Sequence, residues 1–230
     1  MNDLDFPFDN LFDIYYKIIS IIPTELSNDN DVKTFCNNLQ ILMNDILNHI
    51  SQNNLFLTID INEKFIWIAL MLATRTTYKI IPSLISLIPN NKKDYIIELE
   101  DNVGCNCFIS ACYHNFFALI QLINIYSITY LTKPCSLNIT PFDLLIYNGE
   151  IIKFINNNLI TIDDLLNYKN AYYNITTLHI SSVSDNPTVL EYLLKNHNIT
   201  LNDLMQRDSE NNYALLSACS TSSLKAIELL

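Results

Sequence analysis

The sequence predicts an all-α fold, a solenoid of helical hairpins preceded by an N-terminal helical region. Three observations carry this. Apolar residues recur at spacings of three and four throughout, whereas the strict alternation of a half-buried strand is short-lived everywhere. The helical stretches are short and are broken by Asn, Asp and Pro. A two-segment pattern recurs four times in the second half of the chain, at offsets of 34, 36 and 37 residues.

The elements follow in order. Residues 6–22 read as one helix, with Leu11, Ile14, Tyr15, Ile18 and Ile19 on a stripe that stops before Pro23. Residues 32–50 read as a second, with Phe35, Leu39, Leu42, Met43, Ile46 and Ile50 at helical spacing. Between them the Ser27–Asp31 loop supplies N-cap residues. Residues 62–75 and 80–88 form a third and fourth helix, with Pro82 near the start of the last, where proline is tolerated. The chain thus divides into a helical region at 1–60, a helical pair at 61–100 and the recurring units at 101–230. Ile88 lies 35 residues before Ile123, so the pair at 61–100 is a candidate degenerate earlier repeat.

The recurring segments are Asn106–Cys112, Thr140–Ile146, Thr176–Ser182 and Tyr213–Cys219. Each is followed, after a short polar turn, by a second apolar segment: Phe117–Ile123, Ile151–Ile155, Val189–Leu194 and Leu224–Leu230. Each unit is therefore two short helices in a hairpin and then a polar connection. One hairpin cannot bury both helices alone, but stacked neighbours give a continuous core.

These residues resemble the ankyrin repeat, whose mark is Thr-Pro-Leu-His-x-Ala at a period near 33. Thr140-Pro141-Phe142 and Thr176-Thr177-Leu178-His179 are the nearest matches, with Ala111 and Ala218 at the small-residue position. Asp101–Gly104 and Asp208–Asn211 match the turn that precedes the first helix, and repeats start near 101, 136, 171 and 208. The family's turn glycine falls at Gly104, Asn138, Asn174 and Asn211; Asn is the residue that best replaces Gly in left-handed backbone. The wording is similar to divergent ankyrin proteins of amoeba-infecting giant viruses and some protists. The resemblance covers residues 101–230. There are departures. Only His179 fills the fourth motif position, which is otherwise Ile109, Asp143 and Leu216, so the bonds made by that histidine are expected to be mostly missing. The sequence given ends at Leu229-Leu230 inside a second helix, whereas a solenoid should end on a polar cap, so the last repeat reads as truncated and further repeats are expected.

Composition narrows the function. Half of the 230 residues are hydrophobic and 16% are charged, enough to bury a large core. Two glycines, against a usual share of about 7%, exclude Gly-rich phosphate loops and glycine-hinged lids. The 34 Ile and 31 Asn point to an AT-rich genome rather than to an activity. A net charge of −11 leaves no basic footprint for nucleic acid or an anionic membrane and favours a neutral or basic partner. The acidic N-terminus lacks the basic region of a signal peptide, so a cytoplasmic location (host cytoplasm for a viral protein) with free thiols is expected. The three Asn-Ile-Thr triplets at 138, 174 and 198 are then not glycosylation acceptors. Polar residues break residues 102–132 too often for a membrane span.

Chemistry-bearing clusters are few. Cys105, Cys107, Cys112 and His114 carry zinc-ligand atoms, but without the spacing of two paired knuckles. Cys112 and Cys219 sit in register at a small position where helices meet, which favours core packing and no metal. His179 is a structural residue in the motif, and no nucleophile elbow accompanies it. His49 and His197 read as solvated. Asp163-Asp164 fit a helix start, with Thr161 as a cap, and Glu98, Glu100 and Asp101 fit an exposed turn. Trp67 is expected in the core of the preceding helices.

The resemblance implies a non-enzymatic scaffold that binds a protein partner, without cofactor or small-molecule substrate, through its concave face and inter-repeat turns. Tyr113, His114, Tyr147, Tyr172, Tyr173 and Asp208 are the candidate contact residues. Tyrosine suits an interface because it is large, rigid and polar-tipped, and it equally suits ordinary packing. Two rivals stand beside this: an adaptor whose residues 1–60 recruit cellular machinery such as a ubiquitin ligase, and a piece of a larger effector or enzyme.

Overall fold

The computed structural model describes residue 34 and residues 61–230, except 76, 77, 87, 102 and 198. Apart from Thr34, which is helical and exposed, the helices expected over 6–22 and 32–50, and with them the adaptor region, lie outside the described residues. Among the described residues the fold is all-α, with no strand beyond a lone bridge between Lys169 and Thr176. The chain divides into two compact units, at Ser127 and Ile128.

In the first unit, α1 (Ile61–Arg75) leads into α2 (Ile81–Ser86) and α3 (Lys93–Glu98), and these into the hairpin α4 (Cys107–His114) and α5 (Phe116–Ile125). Helix α1 presents Ile66, Ala69, Leu70 and Ala73, one buried stripe at helical spacing. It packs on α4, while α2 packs on α5, so the pair stacks on the hairpin in order. Asn106 and Asn115 start α4 and α5 by accepting the amide N–H groups of Ile109, and of Phe117 and Ala118. A buried hydroxyl contact of 2.8 Å joins Thr74 to Ser110 across the stack. Trp67 is half-buried rather than a core residue, because its indole N–H reaches the Leu99 carbonyl at 2.9 Å.

The second unit holds α6 (Pro141–Tyr147) with α7 (Ile151–Asn156), α9 (Thr177–Val183) with α10 (Thr188–Asn196), and α12 (Ala214–Ser220) with α13 (Leu224–Leu229). Helix α9 packs between α6 and α12, and α10 packs against α13. Fully buried Ile151, Phe154, Val189, Leu190 and Leu193 fill the outer row. Ala218, Ser181 and Ser182 let the inner helices approach closely, and the Ser182 hydroxyl donates to the Ala214 carbonyl at 2.9 Å.

The connections differ from the sequence expectation. They are not merely polar chain: α8 (Ile162–Asn167), whose start at Thr161 and Asp163-Asp164 was expected, and α11 (Leu201–Leu204), which was not, occupy two of them, and α3 follows the second helix of the first unit. Thr161 and Thr200 cap α8 and α11 in reciprocal boxes with Asp164 and Asp203. Thr140 and Thr176 do the same for α6 and α9.

Candidate interaction groove

Each first helix is entered through the same tight turn. Backbone pairs close it at Asp101–Cys105, Cys135–Ile139, Asn170–Ile175 and Asp208–Asn212. The position before the last turn residue is left-handed in all four: Gly104 (φ 76°), Asn138 (60°), Asn174 (57°) and Asn211 (70°). These are the four positions at which the motif aligns a glycine. Side-chain oxygens of Asp101, Asn170 and Asp208 hold the turns by accepting two backbone N–H groups each.

Adjacent units in the second domain are tied turn to turn. The Asn170 amide donates to the Asn138 carbonyl (3.0 Å), the Tyr173 hydroxyl to Leu137 (3.1 Å) and the Asn174 amide to Arg207 (2.8 Å). The imidazole of His179 bridges in the same sense. Its Nε2 lies 3.0 Å from the Asn212 carbonyl, which can only accept, so Nε2 carries the proton. Its Nδ1 therefore accepts from the Thr176 hydroxyl at 2.8 Å.

The expectation that these bonds are lost where the motif histidine is absent needs correcting at Asp143. Its carboxylate accepts the Thr140 backbone N–H (2.8 Å), the Asn170 amide (2.7 Å) and the Tyr168 hydroxyl (2.7 Å). The Thr140 hydroxyl lies 2.7 Å from that of Tyr168, which closes a hydrogen-bonded ring. Burial, and then the Asp143 carboxylate, push the Tyr168 phenol well above its ordinary value, so it stays a donor.

Between the turns and the inner helices runs a groove of about 370 Å³. Ile139, Leu144, Ile175, Ile180 and Val183 give it an apolar floor, and Tyr147, Tyr173, Asp208 and Glu210 stand along it. Of the contact residues expected from sequence, Tyr147, Tyr173 and Asp208 therefore come together. Tyr172 adjoins them, 65% exposed, its ring 4.8 Å from that of Tyr173. Tyr113 and His114 are exposed at the end of α4 in the first unit, their rings 6.4 Å apart. Desolvation, and then the Arg75 guanidinium, hold the His114 imidazole below its ordinary value. The motif residues Thr140, Pro141, Thr176, Leu178, His179, Ala111 and Ala218 are all buried. Glu210 escaped the sequence reading; its place in the turn, two residues after Asp208, was the available signal.

Two further expectations are corrected. Cys219 is exposed rather than packed, although Cys112 at the same register is buried. Leu178 of α9 is 6% exposed, whereas Leu215, at the same step of α12, is 45% exposed. His197 is half-buried rather than solvated. It lines a second cleft of about 470 Å³ with Leu178, Leu193 and Asp203, and its Nε2 is buried.

Burial raises the Cys107 thiol to about 12 and lifts Cys112 as well, so both stay protonated near neutral pH. No group of three or more His, Cys, Asp or Glu side chains among the described residues is placed to hold a metal ion. No described helix is long and apolar enough to cross a membrane. No protein-family model and no curated protein matches the chain.

Proposed function

We propose that the chain is a divergent ankyrin-type repeat protein that binds a protein partner through the groove of its second unit. The observation that carries this reading is the groove itself. Tyr147 and Tyr173, two large side chains with polar tips, stand open above an apolar floor built by first helices and turns. The four left-handed turn positions at the motif's spacing support the ankyrin reading. The order of α1–α2 on α4–α5 supports an earlier, degenerate repeat. One scaffold hosts many functions, so the groove and not the fold supports binding.

The reading is non-enzymatic and cytoplasmic. His179 has both ring nitrogens committed to the fold, and the buried thiols are held as poor nucleophiles. The test is capture from a protist cytosolic lysate by the wild-type chain and by a Tyr147→Ala/Tyr173→Ala variant. Each captured protein is then purified and its affinity for both chains measured by calorimetry. A binding partner whose affinity falls at least tenfold on the variant, about 1.4 kcal/mol, is the expected result. Partners that bind both chains equally would overturn the assignment to the groove.

A further inference from the structure

We infer that the occupant of this groove is a peptide segment bearing a Lys or Arg beside aliphatic residues; the inference rests on the reading of the groove as a protein-binding face. Among the described residues, the charges lining the groove are Asp143, Asp208 and Glu210, and no Lys or Arg accompanies them. The three carboxylates are not equivalent. Asp143 is buried and already accepts three donors. Asp208 is used by its own turn, where one oxygen accepts the Glu210 and Asn212 N–H groups at 2.9 and 2.8 Å. Glu210 is exposed, and its carboxylate accepts only a long 3.5 Å contact from the Asn212 amide.

The basic residue nearest in sequence does not neutralise it. Arg207 donates to the Asn211 carbonyl at 3.2 Å and to the Tyr213 hydroxyl, and its guanidinium lies 4.3 Å from the Tyr213 ring centre. An anionic occupant would therefore meet three carboxylates with no counter-charge. A cationic side chain would meet Glu210 at the rim and the electron-rich faces of Tyr147 and Tyr173 beside it. The floor of Ile139, Ile175, Ile180 and Val183 asks for aliphatic neighbours, which bury the stem of the same cation. The net charge of −11 steers such a segment toward the chain from a distance.

The experiment is selection of random linear peptides displayed on phage against the whole chain, followed by fluorescence anisotropy with the selected peptides. The expected peptides share a Lys or Arg flanked by aliphatic residues. Glu210→Gln should weaken them about two- to fivefold, the range of an exposed ion pair, and added salt should weaken them too. Asp163→Asn makes the same charge change at the exposed start of α8, outside the groove, and should leave binding unchanged. Peptides that are lost on Tyr147→Ala but lack a basic residue, or that ignore Glu210→Gln, would overturn the cationic inference and leave the groove reading standing. Peptides that ignore Tyr147→Ala, or an empty selection, would overturn both.

Discussion

Asp143 and His179 stand at the same step of successive first helices and make the same two contacts, the second with opposite hydrogen-bond polarity. Each accepts from its own capping threonine: Asp143 from the Thr140 N–H at 2.8 Å, and His179 from the Thr176 hydroxyl at 2.8 Å. Each then reaches the turn that follows. There Asp143 accepts from the Asn170 amide, whereas His179 donates to the Asn212 carbonyl. The turn has changed with the helix residue, so an acceptor meets a donor in both places.

A swap tests this pairing. Asp143→His places an imidazole N–H against the Asn170 amide, whose oxygen is already held by Tyr172 and Tyr173 N–H groups. The facing donors and the stranded Tyr168 hydroxyl should cost about 2–3 kcal/mol in urea unfolding. Asn170→Asp keeps the turn bonds, as Asp208 does in the next unit, and restores an acceptor. The double variant should recover more than half of the loss, and simple additivity of the two single variants would refute the pairing.

The left-handed turns predict a sign. Asn211 has φ 70°, so Asn211→Gly should leave stability within about 0.5 kcal/mol or raise it, while Asn211→Ala should lose about 1 kcal/mol. Thermal unfolding of the two variants decides it; an alanine variant as stable as the glycine variant would contradict the geometry.

Gly149 makes a stricter case, because both its backbone and its surroundings require glycine. Its φ is 82°, and a Cβ there would lie 2.5 Å from the Asn186 amide nitrogen, which donates to the Asn148 carbonyl. Gly149→Ala should lose about 2 kcal/mol or more. A companion Asn186→Gly should relieve only the steric part, since the backbone strain stays.

The capping boxes predict loss of stability in acid. The hydroxyls of Thr161 and Thr200, and then their backbone N–H groups, hold Asp164 and Asp203 below the ordinary 3.8. A carboxyl depressed by folding contributes stability that is present above its unfolded value and is lost as pH falls through its folded value. Stability should therefore decline as pH drops below 3.8, and Thr161→Ala/Thr200→Ala should make the decline shallower. Equal slopes for the variant and the wild-type chain in a pH series of urea titrations would count against the boxes.

The cysteines should separate in native alkylation mapped by mass spectrometry. Exposed Cys219 should be modified early, whereas Cys107 and Cys112, buried and with raised thiol values, should wait for unfolding. Early labelling of Cys107 would contradict its burial.

The parts of this fold legible in sequence are those encoded within one unit. The left-handed positions at Asn138, Asn174 and Asn211 could be read because the turn and helix motifs align them. Helix α11 escaped because four residues give no periodic stripe, whereas the start of α8 was legible through Thr161 and Asp163-Asp164. The role of Asp143 was not legible, because Tyr168 and Asn170 lie 25 and 27 residues away and only stacking brings them near. Register placed Cys219 beside Cys112, but register says nothing about whether a neighbour covers the position. The groove was legible as a face, through Tyr147, Tyr173 and Asp208, but Glu210 as its exposed charge depends on where Arg207 turns.

The side-chain bonds that join one hairpin to the next hairpin or its entry turn connect residues 27 to 39 apart. Every such link therefore closes a loop of nearly the same length, and its entropy cost does not grow with the number of units stacked. Gain or loss of one whole period leaves the remaining loops unaltered. What it changes is the fit at the new junction, where acceptor must again face donor as Asp143 faces Asn170. Insertion or deletion of one whole period should therefore be tolerated where the new junction restores that match.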